Sequence, residues 1–198
     1  ELLVFSQPTT SAPGFPCGLI CQIRPTLLTS LPLVLFGVAV IEEVFKYAAV
    51  RFTVLKRLEF DEPVDAMIYM VSAALGFAAI ENVLFLTPAF ETGFFPGVEL
   101  TTSRFLGANL LHALSSAIVG YALARHVFTP WRRHAVGLGL LLASLLHALF
   151  NYFIIMKDAI PAAFILVTLL LLLMAVAVFV EFERLKRRSA RPAEGPGT

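Results

Sequence analysis

Glu42 and Glu43 stand side by side, with Lys46 one helical turn on, after a run that is almost wholly apolar from residue 31 to 41. Further along, Glu81 and Asn82, Asn109 and His112, and His147 and Asn151 interrupt other apolar runs. Two imidazoles and one carboxylate are a common ligand set for a catalytic zinc, which keeps a fourth position for water. A further carboxylate off the metal serves as general base when that water attacks a carbonyl. His112, His147 and Glu81 are the expected zinc ligands, and Glu43 or Glu42 the expected base. Neighbouring helical residues point about 100° apart, so only one of the two glutamates is expected to face the metal directly. Lys46, at i+3 and i+4, is placed to neutralise the other. Asn151 shares a helix face with His147 at i+4, where it can orient a substrate carbonyl or donate to an oxyanion. Asn82 is a weaker candidate for the same work. No HExxH occurs, so the strongest single motif of a zinc peptidase is missing.

The elements that must hold these residues are membrane spans. The chain has 198 residues, 58% hydrophobic and 15% charged, with a mean hydropathy of +0.83. Soluble domains carry roughly 25% charged residues, and several runs here reach the ~20 apolar residues that cross a bilayer core. The expected fold class is all-α, a polytopic transmembrane bundle of about five spans. Ser30 and Pro32 punctuate the start of the first, which passes the two glutamates to about residue 55. The second runs from Pro63 to before Pro88, the third over about 102–128, the fourth over about 133–156, and the fifth over about 161–182. Residues 1–29, with four prolines, read as an extracytoplasmic loop or the remnant of an N-terminal element. Residues 30–183 read as the bundle, and 184–198 as a basic, disordered tail. Cys17 and Cys21 allow a disulfide in an oxidising space. The chain begins with Glu1 rather than Met, which is expected of a fragment or a processed form, and no signal peptide is readable.

Basic residues set the expected orientation. Arg51, Lys56, Arg57, Arg125, Arg132, Arg133, Arg184, Lys186, Arg187, Arg188 and Arg191 fall on one side of the spans, against Arg24, Arg104 and Lys157 on the other. The positive-inside rule then places the C-terminus in the cytoplasm and residues 1–29 outside. On that topology Glu43, Glu81, His112 and His147 lie roughly 9–18 Å beneath the outer surface, at about 1.5 Å per residue. A charge at the bilayer centre costs roughly 2.5–3.5 kcal/mol, and an apolar neighbour returns only about 0.3–0.6 kcal/mol. Each residue alone has a plain packing role, as a helix–helix hydrogen-bond partner or a structural ion pair. Arrival at one depth from four helices favours a shared site.

The stretches EEVFKY at 42–47, EPVDAMIYMVSAALGFAAIENVLF at 62–85, HALSSAIVGY at 112–121 and HALFN at 147–151 resemble, in order, the motifs of PrsW-type intramembrane proteases. The double glutamate and the two histidine motifs are also similar, more distantly, to the CAAX prenyl endopeptidase and bacteriocin-processing superfamily. The resemblance implies a multi-pass peptidase of the bacterial plasma membrane. Its implied substrate is a single-pass membrane protein, an anti-sigma factor, cut first on the outer side. It carries functional roles onto Glu42, Glu43, Glu81, His112, His147 and Asn151. The usual glycine after the EP-x-D element is Ala66 here, and relatives often have additional N-terminal spans. The lipid bilayer is the expected surrounding, with no nucleic-acid partner. Two rivals compete: a CAAX-type or bacteriocin-type peptidase, and a transporter or channel subunit with buried proton-relay residues. The transporter would need helices broken by Gly or Pro near the site, and Gly76 and Gly107 are poor markers of such breaks.

Overall fold

A computed structural model describes residues 18–128 and 134–189, with side chains from 30 to 128 and from 134 to 187. The chain divides into two units, Glu1–Leu31 and Pro32–Thr198, and all the residues discussed below lie in the second. Helices follow one another as α1 (Gly18–Thr53), α2 (Pro63–Thr92), α3 (Phe94–Arg104), a π-helical segment (Phe105–Asn109), α4 (Leu110–Val127), α5 (Ala135–Ile155) and α6 (Ala163–Ser189). Among the described residues there is no strand. Among the described residues, four stretches are long and apolar enough to cross a membrane: Pro63–Thr92, Phe94–Val127, Ala135–Ile155 and Ala163–Arg187. The remaining helix, α1, is the one that carries Glu42, Glu43 and Lys46.

Element boundaries depart from the sequence reading where proline or glycine served as punctuation. α1 begins at Gly18 and contains Pro25 and Pro32, so residues 18–29 are helical rather than loop. α2 likewise continues through Pro88 to Thr92. A proline inside a helix removes one donor and clashes with the preceding turn, at about 3 kcal/mol. A long helix with every other bond intact absorbs that, above all where lipid offers the backbone no other partner. The third span starts at Phe94 rather than near Thr102, and Gly107 falls inside its π segment, so the helix does loosen there. α6 runs to Ser189, which makes residues 184–189 helical instead of tail. The remainder of the tail and the side chains of Cys17 and Cys21 lie outside the described residues.

Burial is inverted relative to a soluble bundle. Large apolar side chains such as Ile80, Val83 and Leu84 of α2, Leu138 of α5 and Leu173 of α6 point outward. The interior holds small residues, Ala39, Ala66, Ala74, Ala78, Ala117 and Ala143, and larger ones such as Met70, Leu111 and Leu123, beside Glu43, Lys46, His112, Ser115, Ser116 and His147. Lipid solvates leucine as well as protein does, so helices associate through close backbone packing and polar contacts.

α4 is the central helix, packed against α2, α5 and α6. It meets α2 at Gly120, where a Cβ would lie 2.6 Å from Met67 Cα and 2.7 Å from the Ala66 carbonyl oxygen. Those atoms are backbone and cannot rotate aside. Gly120→Ala is therefore expected to force α2 from α4 and to destabilise by about 1–3 kcal/mol. Thermal unfolding in detergent reads this directly, and an unchanged midpoint would show that the contact is looser than the geometry states.

Candidate metal centre

Four helices each deliver one part. From α1, the adjacent positions 42 and 43 splay two carboxylates, and Lys46 follows one turn later. α4 supplies His112 and, one turn on, Ser115 and Ser116, while α5 supplies His147 and α2 supplies Glu81. Glu43, Lys46, His112, Ser115, Ser116 and His147 are all buried.

Each imidazole is held by a carboxylate on one nitrogen. Glu81 Oε2 lies 2.8 Å from His112 Nε2, and Glu43 Oε1 lies 3.1 Å from His147 Nδ1. An ionised carboxylate only accepts, so the proton of each neutral ring sits on the nitrogen facing it. The lone pairs then belong to His112 Nδ1 and His147 Nε2. The rings stand nearly perpendicular, at 84°, with centroids 5.0 Å apart.

Both unprotonated nitrogens turn toward Glu42. Its Oε2 is 3.6 Å from His147 Nε2 and 4.0 Å from His112 Nδ1, and it is buried without a hydrogen-bond partner. One ligand atom each from Glu42, His112 and His147 lies within 4.8 Å of the others. Donors arranged tetrahedrally around zinc at 2.0–2.2 Å stand about 3.3–3.6 Å from one another. The two carboxylate–imidazole spacings come within a few tenths of an ångström of that, and the triad as a whole would have to contract by up to about 1 Å to hold a divalent cation, which would satisfy the orphaned oxygen.

Glu43 is spoken for on both oxygens. Lys46 Nζ donates to Oε1 at 2.8 Å, Ser115 donates to the same atom at 2.9 Å, and Ser116 donates to Oε2 at 3.0 Å. Lys46 also donates to His112 Nδ1 at 2.8 Å, and its Nζ lies 4.8 Å from the centroid of the Phe77 ring. That lone pair cannot serve two partners, so a metal at the triad displaces Lys46 from His112.

The structure thus brings together Glu42, Glu43, Glu81, His112 and His147 but distributes them differently from the sequence expectation. Glu81, expected as the carboxylate ligand, stands behind His112 and also accepts from Arg104 at 2.9 Å. Glu43, expected as a base, has no free oxygen. Glu42 takes the central place. Asn151 follows His147 one turn later and is half-buried, and among the described residues no side-chain hydrogen bond holds it. Asn82 accepts from Arg104 and donates to Asn109, away from the triad. The sequence reading passed over Ser115 and Ser116. Their signal was two hydroxyls one turn after His112 on an otherwise apolar helix, the spacing that returns a side chain to the same face.

A helical bundle that turns its leucines outward and gathers acids and imidazoles at its centre defines a multi-pass membrane protein with a candidate metal centre. The sequence profile of the PrsW family of intramembrane metalloproteases matches residues 20–180, and the chain belongs to that family. Protease PrsW of Oceanobacillus iheyensis is 34% identical over 153 residues, 77% of this chain and 65% of that protein. Protease PrsW of Geobacillus kaustophilus is 35% identical over 121 residues, 61% of this chain and 51% of its own length. For Protease PrsW of Bacillus subtilis the identity is 32% over 114 residues, 57% of this chain and 49% of the relative. The chain spans between about half and two thirds of these curated relatives. No solved structure matches it at a significant level.

Proposed function

We propose that the chain is an intramembrane metallopeptidase that hydrolyses a peptide bond of a membrane-anchored protein. The observation that carries this reading is the buried, unbonded Glu42 Oε2 facing the unprotonated nitrogen of each histidine. Glu42, His112 and His147 would hold the metal, and zinc suits two imidazoles and a carboxylate. When bound, such an ion supplies Lewis acidity toward a carbonyl and makes water easier to deprotonate.

The chain's own residues do the rest. Glu42 would meet the metal through Oε2 and so would have to accept the proton of the attacking water on its other oxygen, because Glu43 is saturated by Lys46, Ser115, Ser116 and His147. Glu43 and Glu81 lock the two rings so that their lone pairs converge. Asn151, one turn from His147 and without a side-chain partner, is the donor available to a developing oxyanion. A substrate helix has its carbonyls already paired, so it must unwind locally before cleavage.

The basic residues at 51–57, 125–133 and 184–191 orient the bundle with its C-terminus in the cytoplasm of a bacterial cell, and the site then opens toward the outer leaflet. As substrate we propose a single-pass anti-sigma factor cut at its first, outward site, the reading that the resemblance of the four motifs supports. A transporter would need helices interrupted at the site. Among the described residues the departure from α-helix near it is the π segment, which leaves the chain helical.

Metal removal tests the proposal. Stripping the purified protein with a strong chelator should abolish cleavage of a reporter carrying such a transmembrane segment, and added zinc or cobalt should restore it. Full activity after metal analysis has shown an empty protein would refute the metal's part.

A further inference from the structure

Arg104 belongs to none of the four motifs, yet the fold builds it into the site. Its NH2 donates to Glu81 Oε2 at 2.9 Å, the same oxygen that meets His112 Nε2 at 2.8 Å. Its Nε donates to Asn82 Oδ1 at 2.7 Å, and Asn82 Nδ2 in turn donates to Asn109 Oδ1 at 3.0 Å. The guanidinium lies over the Phe85 ring, 4.3 Å from its centroid. The side chains of Arg104 and Glu81 are only 13% and 21% exposed, so solvent screens this pair weakly. Three successive contacts from α2 therefore fix one side chain of α3.

The π segment explains how Arg104 reaches that place. Eight residues separate it from His112, and in an unbroken α-helix that spacing leaves the two about 80° apart around the axis. The π turn at Phe105–Asn109 takes up one extra residue, so the interval behaves as about seven α-helical steps and the mismatch shrinks to about 20°. Arg104 and His112 then point the same way, two turns apart, with Glu81 between them.

We propose that Arg104 is a positioning residue of the metal centre. Acting through Glu81, it holds His112 in the tautomer with the proton on Nε2, and so presents Nδ1 as a ligand. Without the guanidinium, Glu81 is free to rotate toward solvent, and His112 loses the acceptor that orders its ring. This inference rests on the metal reading above. Outer partners of ligating histidines typically set 10–100-fold of metal affinity.

The test uses the full chain in detergent, with cobalt as the probe. Cobalt affinity is measured by chelator competition, and the imidazole tautomer by nitrogen-resolved NMR of metal-free protein in a Lys46→Met background, because Lys46 Nζ otherwise donates to His112 Nδ1 and holds the same tautomer. Arg104→Gln should bind cobalt about 10–100-fold more weakly than wild type and lose the His112 Nε2–H signal. Arg104→Lys keeps a cation but not the fork that also grips Asn82, and should recover part of both. Should Arg104→Gln not fold, Arg104→Lys and Glu81→Gln carry the same two comparisons. Wild-type affinity together with an unchanged imidazole spectrum in these variants would overturn the inference. If wild type itself binds no cobalt, the metal reading fails, and the tautomer signal then decides Arg104 alone: its loss in Arg104→Gln supports the positioning role, and its persistence refutes it.

Discussion

Glu42→Gln should abolish cleavage while leaving the protein folded as well as before, or slightly better. Amide and carboxylate are nearly the same size, so packing is unchanged. What disappears is the carboxylate that would both hold the metal and take the proton, and a positioned acid–base group alone is worth about 100- to 10,000-fold in rate. Stability should not suffer, because Glu42 Oε2 is buried with no hydrogen bond to lose. An unpaired charge in a weakly polar interior opposes folding, and the substitution removes it. Initial rates on a transmembrane reporter, paired with thermal unfolding of the same preparation, measure both halves. Retention of more than a tenth of the wild-type rate would take the proton-accepting role away from Glu42.

Glu43→Ala should fail in the opposite way, through folding. The side chain binds Lys46, Ser115, Ser116 and His147, and its removal strands a lysine that is only 2% exposed. His112 Nδ1 is the one polar partner then left to Lys46. Breaking a buried pair on one side costs about 3–5 kcal/mol, enough to remove much of the stability of an ordinary domain. The double variant Glu43→Ala with Lys46→Met eliminates the stranded charge and should recover a large part of the loss. If Glu43 were instead the proton acceptor, Glu43→Ala would be folded and inactive, and Lys46→Met would restore nothing. Yield and unfolding midpoint of the three variants separate these outcomes.

Periodicity and helix signals located the helices well where hydrophobic demand and capping agree. Pro63 does open α2, whose capping box pairs the Glu62 and Asp65 side chains with each other's backbone. They located them poorly where a proline sat within a longer stretch, at Pro32 and Pro88, because lipid leaves the backbone no alternative to helix. The gathering of Glu42, Glu43, Glu81, His112 and His147 was legible from depth alone, since burial of acids is too costly to be casual. Their division of labour was not. Side chains 100° apart on one helix cannot be assigned to front and back without knowing how far α1 is rotated about its axis. That rotation is set by Ala39, Glu43, Lys46 and Val50, the buried stripe of α1 at spacings of three and four. Read as a stripe, these residues already place Glu43 inward and leave Glu42 beside it at the edge of the cleft. The tie of Arg104 to Glu81 and Asn82 was opaque for another reason: it is a contact between two helices, which the spacing along either one does not state.

Charge within the centre is nearly, but not fully, cancelled. Glu43 has Lys46 and Glu81 has Arg104, each at hydrogen-bonding distance, which leaves Glu42 as the single acid without a cation of its own. The centre therefore carries one more acid than its own cations balance, and that acid is the one set between the two imidazoles. Its sign is the one that would draw a cation to this place in a bundle otherwise walled by apolar side chains.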